Sequence, residues 1–157
     1  MPTSSKAYQP DKGVTVTNRT EYDTKEVRNL VRRTLRTFEA THAVSVTVHH
    51  TRKRDGYTRG WYRNYWYPSK GEDRPQIRVA LPRPEDGLKP YVPYLRTREQ
   101  GRIFEMHDWR EALIAVTAHE ATHHRQGYRR NGKGGFREVD CDLAAYRAVM
   151  YYRDGTL

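Results

Sequence analysis

Apolar residues recur along this chain with two different periods, and the changes of period mark out its elements. From Thr24 to Thr41 the positions Val27, Leu30, Val31, Leu35 and Phe38 follow helical spacing, with arginines on the opposite side. The next run, "AVSVTVHH", has a period of two. Val44, Val46 and Val48 alternate with Ser45, Thr47 and His49, the pattern of a half-buried strand. The stretch "GYTRGWYRNYWYP" is aromatic and β-prone and predicts one or two further strands, broken near Gly60 or Asn64. In "QIRVALP" the residues Ile77, Val79 and Leu81 alternate until Pro82 ends the strand.

Residues 82 to about 107 hold Pro82, Pro84, Pro90 and Pro93 and predict a long surface loop, a feature more often functional than idle. Helical spacing returns at Asp108, with Glu111 three residues on in a capping-box arrangement, and runs to Gly127. A basic loop, "YRRNGKGGFR", leads to a last helix from about Glu138 to Arg153. Residues 1 to about 20 are polar and aperiodic and predict a flexible arm before one domain over 21–157. The expected class is α+β: an N-terminal helix, a small and mostly antiparallel sheet, then two helices.

At 157 residues the chain can build a single modest core. One cysteine, Cys141, excludes an internal disulfide framework and any multi-cysteine zinc site. No stretch approaches the roughly 18 apolar residues of a membrane span, and "MPTSSKAYQPDKG" lacks the apolar core of a secretory signal. A soluble, cytoplasmic monomer with no membrane association is the expectation. The net charge of +10 favours acidic partners such as nucleic acid. Its arginines are spread along the chain, so a solvated basic surface is the plainer reading.

The chemistry concentrates in "AVTAHEATHHRQG", Ala115 to Gly127, which contains His119-Glu120-Ala121-Thr122-His123. Residues four apart on a helix differ by only about 40° in direction, so His119 and His123 stack one turn apart and can grip one metal ion. Glu120 points about 100° further round, close enough to reach a water on that ion without filling a ligand position. Trp109, Ala112, Leu113 and Val116 project onto the same stripe, whereas Arg110, Glu111, Arg125 and Gln126 project elsewhere. Ionisable groups on a core-facing stripe are costly unless paired or metal-bound. Two satisfied core histidines beside a buried glutamate are the alternative. His124 projects about 120° from the metal face and reads as a flanking residue.

Catalytic zinc usually keeps three protein ligands and an open position for water. No histidine follows His124, so the third ligand is a carboxylate or an upstream residue such as His107. The last helix, "EVDCDLAAY", puts Glu138, Asp142, Ala145 and Val149 on one face, near an apolar stripe with Leu143, Tyr146 and Met150. Asp140 points nearly opposite, with Arg147. Glu138 is the preferred third ligand, with His107, Asp142 or none as alternatives. Asp142 suits the carboxylate that receives a metal-bound histidine's free N–H.

H-E-x-x-H followed closely by E-x-x-C-D on the next helix resembles the gluzincin metallopeptidases, especially their minimal single-domain members. The order of elements is similar to the zincin-like fold of ImmA/IrrE-type regulators. Cys141 stands where alanine is usual in that pattern. The resemblance implies zinc held by His119, His123 and Glu138, with Glu120 as general base and Asp142 orienting a histidine. It implies peptide-bond hydrolysis by zinc-activated water, with a protein or peptide as substrate. Tyr128, Tyr146 and Tyr152 are candidates for oxyanion support. Gluzincins typically hold substrate as a strand added to a sheet edge. "QIRVALP" is the expected edge, with an ordinary core strand as the alternative.

A different class of function is a basic nucleic-acid-binding module with a structural zinc. Tyr57 to Tyr67 interleaves Arg59 and Arg63 with aromatics, as stacking platforms do, although aromatics covering a sheet would look the same. A regulator protease acting on DNA-bound proteins would join both readings. Arg129, Arg130 and Lys133, between the two metal-binding helices, would then steer the nucleic acid.

Overall fold

The computed structural model describes residues 13–93, 103–129 and 138–157. They form four strands and three helices: β1 Val14–Asn18, α1 Thr24–Thr37, β2 Val44–His50, β3 Arg59–Arg63, β4 Gln76–Leu81, α2 Trp109–Arg129 and α3 Glu138–Arg153. The α+β class holds, with a small sheet and three helices. No helix among the described residues is long and apolar enough to cross a membrane.

The sheet is mixed rather than mostly antiparallel. Its order is β1-β2-β4-β3, with β1–β2 and β2–β4 parallel and only β3–β4 antiparallel. The cause lies in the connections. Helix α1 carries the chain back from β1 to β2, as a parallel pair requires. Strand β3 precedes β4 in the chain but lies outside it, leaving β4 beside β2. "QIRVALP" is therefore an interior strand, and the edge formed by this part of the chain is β3.

Strand β1 corrects the expected arm. Val14 to Asn18 pair in register with Val44 to Val48, and Val16 is buried. Residues 1–12 lie outside the described residues. Helix α1 begins where the Asp23 side chain accepts the Glu26 N–H at 2.8 Å. It stops at Thr37, short of Thr41, and Glu39 then takes φ +54.

Alternation sorts the sheet's two faces. Val44, Val46, Val48, Ile77, Val79 and Leu81 point into the core, while Arg78 and Trp61 are exposed on the other face. Helix α2 is the core's central rod, with Ala112, Leu113, Ile114, Ala115, Ala118 and Ala121 all fully buried. It runs past Gly127 to Arg129. Asp108 caps it by accepting from the Arg110 and Glu111 N–H groups, and Glu111 reaches back to the His107 N–H. The small residues Ala144, Ala145 and Ala148 let α3 pack closely on α2. Leu143, expected on the apolar stripe, is 40 % exposed.

Candidate metal centre

Helix α2 stacks His119 and His123 one turn apart, with ring centroids 5.0 Å apart. Glu138, the first residue of α3, meets both. Its Oε2 lies 3.0 Å from His119 Nε2 and its Oε1 lies 3.1 Å from His123 Nε2. Cys141, three residues along α3, is fully buried beside them. One donor atom from each of His119, His123, Glu138 and Cys141 lies within 4.8 Å of the others. Two imidazole nitrogens, a carboxylate oxygen and a thiol sulfur at such spacing could hold a metal ion.

Around these donors sits a layer that fixes them. Asp142, 3 % exposed, places Oδ1 3.0 Å from His119 Nδ1 and accepts the Tyr91 hydroxyl at 2.6 Å. The expected orienting role of Asp142 is geometrically available, and Tyr91 joins it from the proline-rich connection. The Tyr62 ring lies nearly parallel to that of His123, centroids 6.4 Å apart. Its hydroxyl is 3.0 Å from His124 Nδ1, while His124 Nε2 is 3.3 Å from the His42 carbonyl. The carbonyl can only accept, so Nε2 donates to it and Nδ1 accepts from Tyr62. His124 is thus a buried anchor for Tyr62, with both nitrogens engaged. Burial lowers its pKa to about 4, the hydrogen bond to His42 opposing, so the ring is neutral.

Glu120 is 6 % exposed beside this cluster, its Oε1 4.0 Å from His119 Nε2. Burial raises its pKa, against the pull of His119 and His123. Strand β3 passes directly over it. A Cβ at Gly60 would fall 2.4 Å from Val116 Cγ1 and 2.7 Å from Glu120 Oε1, so glycine here permits a backbone approach that no side chain allows.

The charges are lopsided. Glu120, Glu138 and Asp142 converge here on His119 and His123. Burial lowers the pKa of His119, but Asp142 and Glu138 outweigh it and lift the value to about 10. Hydrogen bonds from His119 and then His123 hold Glu138 well below the usual carboxylate range. Carboxylates gathered around two imidazoles suit a metal dication.

Several expected participants sit elsewhere. His107 is exposed and lies 3.4 Å from Glu111, at the far end of α2. Asp140 is 3.4 Å from Gln126 and is not among the clustered donors. Tyr146 packs its ring edge-on to Phe104, and Tyr152 packs against the core. Arg130 and Lys133, and the side chains of Tyr128 and Arg129, lie outside the described residues. In the aromatic stretch, Arg59 is paired with Asp55 at 2.6 Å. Arg63 pairs with Glu72 at 2.5 Å and lies about 5 Å from the ring centroids of Trp61, Tyr65 and Tyr67.

Sequence reasoning missed Tyr91, Tyr62 and Gly60. A glycine inside a β-prone aromatic run hinted at close backbone approach. No local pattern marked the tyrosines. Comparison with protein-family models, with curated proteins and with solved structures returns no match.

Proposed function

We propose that the chain is a zinc-dependent peptidase of the gluzincin type. The observation that carries this reading is the convergence of His119 Nε2, His123 Nε2 and the Glu138 carboxylate, with buried Glu120 beside them. Nitrogen donors with carboxylate and thiol suit zinc better than calcium or magnesium, which favour oxygen donors. The antiparallel edge strand over the histidine helix also supports a zincin-like architecture, with peptide adding to β3 as a further strand.

Zinc bound there would lower the pKa of a water and polarise the scissile carbonyl. The chain's own groups do the rest. His119, His123 and Glu138 hold the ion. Glu120 takes the proton of the attacking water and passes it to the leaving amine nitrogen. Its enclosure by β3 weakens its preference for the charged form, which suits a group that must both accept and release a proton. In Glu120→Gln the amide cannot accept that proton, so hydrolysis of a peptide library should fall by about 100-fold or more, with bound zinc and melting temperature unchanged. Unchanged hydrolysis would remove Glu120 as the base.

One observation favours a second reading, a structural zinc. Cys141 is close enough to complete a four-donor set with no position for water. In the cobalt-substituted protein a thiolate-to-metal charge-transfer band that disappears in Cys141→Ser would mark that closed site. Its absence, with cobalt bound, would leave the open one. The nucleic-acid platform gains little support here, since Arg59 and Arg63 are already paired with carboxylates.

A further inference from the structure

Tyr91 belongs to no helix or named strand, yet it is 8 % exposed and its hydroxyl ends inside the metal centre. Its backbone pairs with Phe104 through two hydrogen bonds, of 2.8 and 3.2 Å, and the two rings stack with centroids 4.9 Å apart. Backbone and ring therefore hold the side chain in place without help from its oxygen.

That oxygen carries one proton and faces two groups, Asp142 Oδ1 at 2.6 Å and His119 Nδ1 at 2.9 Å. The carboxylate is the stronger acceptor and takes the proton. His119 Nδ1, 3.0 Å from the same Oδ1, then has to be a donor, and two donors converge on one carboxylate oxygen. Donation from Tyr91 to Nδ1 would have the opposite effect. A neutral ring would keep its proton on Nε2, the nitrogen that faces Glu138, and its metal-binding lone pair would be lost.

We propose that Tyr91 is a positioning residue for the metal centre. Its hydroxyl, spent on Asp142, holds that carboxylate as the acceptor of the His119 Nδ1 proton and so keeps Nε2 turned to the ion. The inference rests on the metal reading above. Through this hydroxyl the proline-rich connection after β4 also reaches Asp142 and, behind it, His119.

Two variants separate hydroxyl from packing. Tyr91→Phe keeps the ring and its stack on Phe104, whereas Phe104→Leu thins the stack and keeps the hydroxyl. Zinc affinity, read by competition with a chromophoric chelator, should weaken about tenfold in Tyr91→Phe, as for other groups that hold a metal ligand in place. In Phe104→Leu the affinity should stay near wild type while the melting temperature falls. By NMR of the zinc-loaded protein, the His119 Nδ1 proton should exchange slowly with solvent in the wild type and faster in Tyr91→Phe. Unchanged affinity or unchanged exchange in Tyr91→Phe would overturn the proposal. So would equal loss of affinity in both variants, which would reduce Tyr91 to packing. If the wild type takes up no zinc, the metal reading falls, and proton exchange without added metal decides the rest. Slow exchange only in the wild type sustains the role of Tyr91, and equally fast exchange in both proteins ends it.

Discussion

Helices α2 and α3 are joined at both ends by a carboxylate, and the two junctions solve the same problem differently. At one end Glu111, 3 % exposed, faces a cation that the protein supplies. Arg153 donates to both its oxygens, at 2.7 and 3.1 Å. At the other end Glu138 faces His119 and His123, with Glu120 and Asp142 crowding the same space. Arginine is always charged and fills the first junction permanently. Histidine is a conditional cation, and as a neutral ligand it leaves room for an external one. The first junction holds the helix pair together; the second is arranged to receive something.

The strongest way to break this contrast is to remove a carboxylate from the second junction. Glu138→Ala should lose zinc affinity on the order of 100-fold or more, beyond the usual cost of removing a supporting partner. Metal analysis after dialysis checks it, and full zinc occupancy would remove Glu138 from the donor set. Arg153→Met attacks the other end. It strands Glu111 and should cost about 2–4 kcal/mol in urea unfolding, less than a fully buried pair because Arg153 is 29 % exposed. Zinc per chain should not change. A variant that loses metal along with stability would show that the two junctions are one unit.

Acidity separates the ends more gently. The folded His119 pKa, about 10, lies above its ordinary 6.5. Its paired charge therefore stabilises fully below pH 6.5, and that contribution is lost as pH rises toward 10. With a chelator present, stability should fall steadily as pH rises across this window. With zinc present the sign reverses for binding, because metal and proton compete for Nε2 and affinity rises with pH. Glu111 behaves otherwise. Burial opposes its ionisation, but Arg153 wins and its pKa is lowered, so its contribution is lost only as pH falls below about 4.5. Unfolding curves at several pH values, with and without chelator, test both signs. The smallest effect belongs to Asp140→Ala. Two residues from Glu138 but outside the cluster, it should bind added zinc as the wild type does.

Three of the four clustered donors were legible because helical geometry is local. His119, His123 and Glu138, with Asp142 behind them, could be placed on faces by counting residues, and the fold brings them together, whereas Cys141 read only as a small residue standing where alanine is usual. Groups that arrive across space were not legible. Glu111 was assigned away from the core because a projection sorts charges outward and cannot see Arg153 arriving from another helix. Strand β1 was hidden in a polar segment because its partner, β2, lies on the far side of α1. The alternation of Val14 and Val16 with Thr15 and Thr17 was its only signal. The sheet's parallel pairs escaped for the same reason, since alternation reveals a strand but not its neighbour. Tyr91 and Tyr62 come from a connection and an edge strand, where residue type alone does not fix a position.

Gly60 bears on which sequence changes the protein can accept. Its φ is not in the left-handed range, so the backbone at this position would suit any residue. The restriction comes from its neighbours, Val116 and Glu120, and not from glycine's conformational freedom. Among variants sorted for the folded state, position 60 would be held to glycine while the neighbouring outward positions, Arg59 and Trp61, drift. That grip would loosen in chains that had also shortened Val116 on α2. A change at Gly60 is thus open only to a lineage in which Val116 has made room and the Glu120 carboxylate has moved aside.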